Sequence, residues 1–229
     1  MAETTTSKKL VWDQIGEKLY ETGVDRGVLF PMVGGAYSAG EAWNGLMSVD
    51  EKPSGAEPTP LYANNRKYIE LLSAEEFDMT IGAYTFPKGF RQCIGIKELA
   101  PGVYVNQQTH VPFGMTYRTL IGNDTEKTAH GYKIHIVYNA TAKPAEKSNK
   151  TINESPEAAE MSWECSTTAV DVPGCNPAAH IEIDSTTISE DSLKALEAAL
   201  YGTDDAAPYL PTPEQLVTLL GIEGEDDET

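Results

Sequence analysis

The stretch that decides the fold covers residues 41–86 and reads EAWNGLMSVDEKPSGAEPTPLYANNRKYIELLSAEEFDMTIGAYTF. Apolar and polar residues alternate on both sides of its centre, which is the period of a half-buried β-strand, and the later alternation breaks at residues 73–75. The centre, KPSGAEPTPLYANN, is about fourteen residues long, whereas a hairpin needs a connection of about two to five. We therefore predict that residues 48–65 form a long functional loop between strands.

The rest of the chain continues the strand pattern. Five further segments are predicted to be strands: residues 27–33 form a short apolar run, and residues 115–121, 132–138, 161–169 and 179–184 alternate. Pro31 predicts that the first of these strands is broken or lies at a sheet edge. In the last strand we expect Ile183 to point inward and His180 outward. Residues 87–110 and 141–160 are predicted to be further long connections.

Two helices are predicted near the C-terminus. Ser189 is placed to cap the first, whose leucines recur at helical spacing as far as Gly202. The second begins with a capping box that starts at Thr212 and ends at Gly221. Together these patterns predict a mainly β fold, an antiparallel β-sandwich or barrel-like core with flanking C-terminal α-helices. We expect one domain over residues 1–229, with an N-terminal arm (1–16), the long loop (48–65), the helices (187–221) and an acidic tail (222–229).

The charge of the chain excludes one class of partner. Acidic residues outnumber basic residues by 35 to 17, for a formal net charge of -18, and the C-terminal EGEDDET accounts for only part of this. A surface of this sign lacks the basic stripe on which nucleic-acid affinity depends, so stable DNA or RNA binding is not expected. No apolar run approaches the ~20 residues of a membrane span, and no secretory signal is apparent, so we expect a protein that stays inside the cell.

No catalytic, cofactor or metal site is predicted. Cys93, Cys165 and Cys175 are expected to be free thiols, the last two as small buried or half-buried residues. If His130 and His135 lie on one strand, they project to opposite faces and cannot share a metal. His110 and His180 are isolated in the sequence.

Several segments resemble the major tail proteins, or tail tube proteins, of long-tailed bacteriophages and prophages. They are VWDQIGEKLYETGVDRGVLF, AWNGLMSVDEKPSGAEPTPLYANNRKYIELLSAEEFDMTIGAYTFP, FGMTYRTLIGND, HGYKIHIVYNATAKPAEKS and INESPEAAEMSWE. The resemblance implies a structural virion protein, in which six copies close into a ring and the rings stack into a tube through which DNA passes without stable binding. It also implies tape measure and tail terminator proteins as partners, and assembly of the virion tail in the cytoplasm of the bacterial host.

The resemblance directs attention to surfaces rather than to an active site, because in this family long loops and terminal arms make the contacts between rings. The subunit-interface hypothesis therefore covers the N-terminal arm and the long loop. Its residues are Trp12, Asp50, Glu51, Lys52, Pro53, Ser54, Glu57, Pro58, Leu61 and Tyr62.

Two other function classes remain open from the sequence. The first is a carbohydrate-binding β-sandwich module, in which aromatic residues would serve as stacking platforms, namely Trp43, Tyr62, Tyr84 and Tyr104. The second is a hydrolase that uses Ser38 or the Glu75–Glu76 pair. Ser38 lies in a near match to a nucleophile elbow, but a strand pattern follows it where the elbow requires a helix.

Overall fold

The computed structural model describes residues 9–55, 57–152 and 158–222. The first half of the predicted N-terminal arm and nearly all of the acidic tail lie outside them. The strands are β1 (Tyr20–Val33), β2 (Ala36–Tyr37), β3 (Glu41–Ala42), β4 (Leu46–Gly55), β5 (Thr59–Ala63), β6 (Arg66–Leu71), β7 (Glu75–Ala83), β8 (Lys97–Ala100), β9 (Val103–Val105), β10 (Phe113–Asn123), β11 (Lys127–Ala142), β12 (Met161–Ser166) and β13 (His180–Asp184). The helices are α1 (Phe90–Cys93), α2 (Glu190–Tyr201) and α3 (Pro213–Leu220).

One large antiparallel sheet organises the chain, in the order β2-β1-β10-β11-β12-β7-β4. β13 pairs with β11, and β3 pairs with β1. β11 meets β12 only at its end, through Thr141 and Ala142, whereas its earlier residues pair with β13. Among the described residues the sheet is not closed into a barrel, and β4 is an edge strand because it pairs there only with β7. The predicted fold class, mainly antiparallel β with C-terminal helices, is confirmed.

Strong alternation in β10 and β11 lets the sheet bury both faces. Met115 and Tyr117 of β10 face a cluster that also contains Ile81 of β7 and Trp163 of β12. β11 contributes to the opposite cluster through alternate residues, Ile134, Ile136 and Tyr138. The strands β4, β7 and β12 therefore pack over one face of the central strands, because both groups supply side chains to the first cluster.

The two C-terminal helices cover the second cluster. Leu196 and Leu200 of α2 and Leu216 of α3 are buried in it. The cap residues are those predicted from the sequence: the Ser189 side chain accepts a hydrogen bond from the backbone of α2, and Thr212 forms a capping box in α3. No helix among the residues that the structure describes is long and apolar enough to cross a membrane.

The structure corrects the prediction that residues 48–65 are a loop. Most of this segment is strand, because β4 continues to Gly55 and β5 begins at Thr59. β5 and β6 pair with each other, and the connection between them is the two-residue turn Asn64–Asn65. The connection at residues 87–110 is likewise not irregular throughout, since it contains α1 and the hairpin of β8 and β9.

Candidate self-assembly surface

The most exposed part of the described chain is a two-stranded ribbon that we call the arm, residues 50–55 and 57–76. Every one of these residues is exposed. The arm consists of the outer part of β4, the hairpin of β5 and β6, and the first residues of β7. β5 and β6 pair with no other strand of the described chain. The arm is therefore held by its own backbone pairing and by its continuity with the sheet.

The local sequence explains why a ribbon forms here despite its prolines. Pro53 cannot donate a backbone hydrogen bond, and it is tolerated because β4 lies at the sheet edge. At the tip, Asn64 has φ 52° and Asn65 has φ 60°. Two consecutive positive φ angles are those of a type I′ turn, whose twist matches that of a hairpin, and Asn tolerates this conformation better than most residues.

The hairpin of the arm carries an apolar face. Leu61 pairs with Ile69, and Leu71 pairs with Thr59, so these side chains share one side of the ribbon. Leu61, Ile69 and Leu71 are 44%, 47% and 52% exposed. Three further large apolar residues of the arm, Tyr62, Tyr68 and Leu72, are more exposed still. Exposed apolar surface of this kind marks interaction sites in soluble proteins.

Charged residues on the arm do little to hold it in place. Lys67 Nζ lies 2.6 Å from Glu70 Oε1 within β6. Lys52 Nζ lies 3.9 Å from Glu164 Oε1 of β12, at the base of the arm. Both pairs are solvent-exposed, and such pairs contribute about 0–1 kcal/mol each. The arm therefore depends on backbone pairing more than on its ion pairs.

The structure places nine of the ten predicted interface residues on the arm. Five lie in β4, opposite residues of β7 (Asp50, Glu51, Lys52, Pro53, Ser54). Glu57 and Pro58 connect β4 to β5, and Leu61 and Tyr62 lie in β5. Glu51, like Lys52, also contacts the body of its own chain: the Tyr117 hydroxyl donates to its carboxylate at 2.7 Å.

The tenth residue, Trp12, lies in a second exposed apolar segment. Its side chain is 74% exposed, so it does not anchor the N-terminal arm on its own domain. Large apolar neighbours are also exposed, among them Leu10 and Ile15. Gly16 fixes the end of this segment, since its backbone N–H donates to Asp124 Oδ1 at 2.9 Å.

The alternation over residues 67–72 predicts a half-buried strand. β6 confirms the strand but not its burial, because every residue of β6 is exposed. The signal that identifies the ribbon is the Asn-Asn pair between two runs of β-forming residues. A second exposed apolar hairpin, β8 with β9, carries Leu99 and Val103 beside its turn at Pro101–Gly102.

Three residues named for the two alternative functions make contacts within the fold. Trp43 is buried against Phe90, so it cannot act as a stacking platform for a sugar. The guanidinium of Arg91 lies over the ring of Tyr104 at 4.0 Å. The Ser38 hydroxyl donates to the carbonyl of Pro31 at 2.9 Å, within its own turn. The contacts of Trp43 and Tyr104 do not support sugar stacking at these two residues, and the hydrogen bond of Ser38 does not support a nucleophilic role.

The histidines and cysteines depart from expectation in two places. His180 is neither isolated nor outward-facing, because its Nε2 lies 3.1 Å from Nδ1 of His135. All three cysteines are free thiols as predicted, but only Cys93 and Cys165 are buried, and Cys175 is exposed.

No protein-family model and no curated protein matches this chain. Among solved structures it is similar to an extracellular contractile injection system, the PVC sheath-tube complex in its extended state, at 13% identity and TM-score 0.37 over 69% of this chain and 88% of that chain. The SPP1 tail tube gives 12% identity and TM-score 0.36 over 77% and 87% of the two chains. The baseplate of the anti-feeding prophage gives 6% identity and TM-score 0.33 over 72% and 95%. Because these identities and TM-scores are low, the function is inferred from the residues of this chain.

Proposed function

We propose that this chain is a non-enzymatic structural subunit that assembles with copies of itself into stacked homohexameric rings, forming the tail tube of a bacteriophage virion. The observation that carries the proposal is the arm, a ribbon with an apolar face exposed to solvent. A two-stranded hairpin is marginally stable alone in water, and a subunit gains little by exposing Leu61, Ile69 and Leu71 unless another surface covers them.

Self-association is supported by the presence of two different apolar surfaces on one chain. The arm is one, and the segment with Trp12 is the other. When one surface of a subunit binds a different surface of the next copy, the contact is heterologous. Such contacts close into rings when the rotation between copies closes, and they extend into filaments when it does not. A tube of stacked rings requires both kinds of contact.

The charge of the chain suits a conduit for DNA. With a net charge of -18, the surface repels phosphate, so DNA passes along it without stable binding. By the family resemblance, the tube is assembled in the host cytoplasm with tape measure and tail terminator proteins as partners.

Removal of the arm tests the proposal directly. Gly55 and Glu75 form the last pair of the ladder between β4 and β7, so residues 56–74 can be replaced by Asn-Gly, which forms a two-residue hairpin turn. The purified wild-type chain and this variant are compared by negative-stain electron microscopy and native mass spectrometry. We expect the wild type to form hollow tubes or rings of six chains, and the variant to stay a folded monomer.

Circular dichroism provides the control for folding, because neither apolar cluster contains a residue of the segment that is removed. Tubes formed by the variant would overturn the role of the arm. A wild-type chain that stays monomeric at every concentration would overturn the proposed function as a whole.

A further inference from the structure

A cluster of metal-ligating side chains lies where the arm joins the body. It consists of Glu51 from β4, His135 from β11 and His180 from β13, and its possible ligand atoms lie within 4.8 Å of one another. His135 is buried, His180 is half-buried and Glu51 is exposed. Glu51 Oε1 lies 3.4 Å from His135 Nδ1. The cluster therefore has a buried floor and one side open to solvent.

The two imidazoles meet edge to edge. Their planes are within 3° of each other, and their centres are 5.3 Å apart. This separation is slightly less than the 3.1 Å between the two nitrogens plus the two ring radii, so the nitrogens face each other nearly in one plane. Aromatic rings hold both imidazoles from the outside: Tyr117 stacks on His135 at 4.5 Å, and Phe77 stacks on His180 at 4.6 Å.

The polar neighbours of His135 and Glu51 orient the atoms that could bind a cation. Thr119 Oγ1 lies 2.9 Å from His135 Nε2 and accepts its proton in the tautomer whose Nδ1 lone pair faces the cluster. The Tyr117 hydroxyl orients Glu51 by donating a hydrogen bond to its carboxylate at 2.7 Å. A second carboxylate lies near the cluster, since Glu182 Oε2 is 3.9 Å from His135 Nδ1.

We propose that Glu51, His135 and His180 bind a divalent transition-metal cation of the zinc class. Two imidazoles and a carboxylate are a donor set that Zn²⁺ favours, and ligand atoms around a tetrahedral Zn²⁺ lie about 3.3 Å apart because each metal–ligand distance is about 2.0–2.1 Å. The distances of 3.1 Å and 3.4 Å within the cluster are close to this value. A cation at about 2.0–2.1 Å from both nitrogens lies off the line that joins them, where it replaces the proton of their hydrogen bond, and His180 then carries its proton on Nδ1.

The position of the site gives it a structural role. Glu51 belongs to the first strand of the arm, while His135 and His180 belong to the central sheet. A bound cation would therefore connect the base of the arm to the body of the subunit. This inference does not depend on the proposed function, because the three ligands belong to one chain.

Isothermal titration of the full-length chain with ZnCl₂ tests the site. We expect one Zn²⁺ per chain and, with Co²⁺ as the probe, the visible absorption bands of a tetrahedral site. Glu51→Gln and His180→Asn should remove this binding. Thr119→Val, which removes only the outer hydrogen bond, should weaken it about 10- to 100-fold. Glu51→Gln keeps the size of an exposed side chain, so it remains informative even if substitution of His180 disturbs folding.

The matched control is His130→Asn. His130 lies beside a carboxylate as well, with Nδ1 at 2.7 Å from Glu126 Oε2, but outside the cluster. This variant should bind Zn²⁺ with the wild-type affinity. The proposal is overturned if the wild-type chain takes up no Zn²⁺, if Glu51→Gln binds as tightly as the wild type, or if His130→Asn loses the same binding.

Discussion

Replacing the apolar face of the arm with threonine should separate assembly from folding. The variant is the triple substitution Leu61→Thr, Ile69→Thr and Leu71→Thr. Threonine is β-branched, which favours strands, and it removes most of the apolar surface. Because none of the three residues belongs to either buried cluster, we expect the thermal unfolding of the monomer to be nearly unchanged.

The effect on assembly follows from exposure. Full burial of an aliphatic side chain of this size stabilises by about 1.5–3 kcal/mol. The three side chains are 44–52% exposed, so roughly half of that gain remains for a contact with another copy, about 2–4 kcal/mol for the three together. At about 1.4 kcal/mol for each factor of ten, the concentration needed for assembly should rise about 30- to 1,000-fold.

Sedimentation velocity over a concentration series, with negative-stain microscopy of each sample, measures this shift. Ile152→Thr is the control, because Ile152 is 85% exposed and lies outside the arm. It should assemble as the wild type does. Our reasoning is refuted if the triple variant assembles at the wild-type concentration, or if Ile152→Thr causes a comparable shift.

Three further predictions concern the body of the subunit. A thiol reagent should label only Cys175 in the native monomer, because burial raises the pKa of the other two thiols to about 12; labelling of more than one thiol would contradict this burial. Asp25→Asn should lower the urea midpoint at neutral pH, and this difference should shrink as the pH falls below about 4 and disappear only below the lowered pKa of Asp25, since the hydrogen bond from Arg118 lowers that pKa and the stabilisation is lost between the unfolded-state and folded-state values; a difference that does not change with pH would exclude the mechanism. Thr212→Ala should cost about 1 kcal/mol in the free energy of unfolding, measured by urea denaturation, because it removes the capping box with Gln215; no change would show that the cap is dispensable.

The body of the fold was predictable because its signals are local. Alternation in β10 and β11 identifies the two faces that are buried, and the caps at Ser189 and Thr212 mark the two C-terminal helices. These patterns depend on residues two to four positions apart, so no tertiary information is needed to recognise them. The boundaries of the strands were less predictable, since β4 and β11 continue well beyond their apolar residues.

The arm and the histidine cluster were not predictable in the same way. Pro53 and the polar residues around it indicate a loop, and only the pairing of β4 with β7 shows that a strand continues through them. His135 and His180 are far apart in the sequence, and they meet because β11 and β13 pair in one particular register. The Asn-Asn turn is a local signal for the hairpin of the arm, but the continuation of β4 and the histidine cluster depend on which strands are neighbours.

The preformed arm changes how assembly would be controlled. A loop that becomes ordered only on contact would spend about 2–5 kcal/mol of the contact energy on ordering, and this cost would keep free subunits apart. The arm is instead a paired ribbon with a type I′ turn at Asn64–Asn65, and its base is held by contacts such as that between Tyr117 and Glu51. Most of the ordering cost is therefore met during folding. Any barrier to premature assembly must then lie in the other surface of the contact, and the exposed segment with Trp12, whose end at Gly16 is hydrogen-bonded to Asp124, is the part of the described chain best suited to provide it.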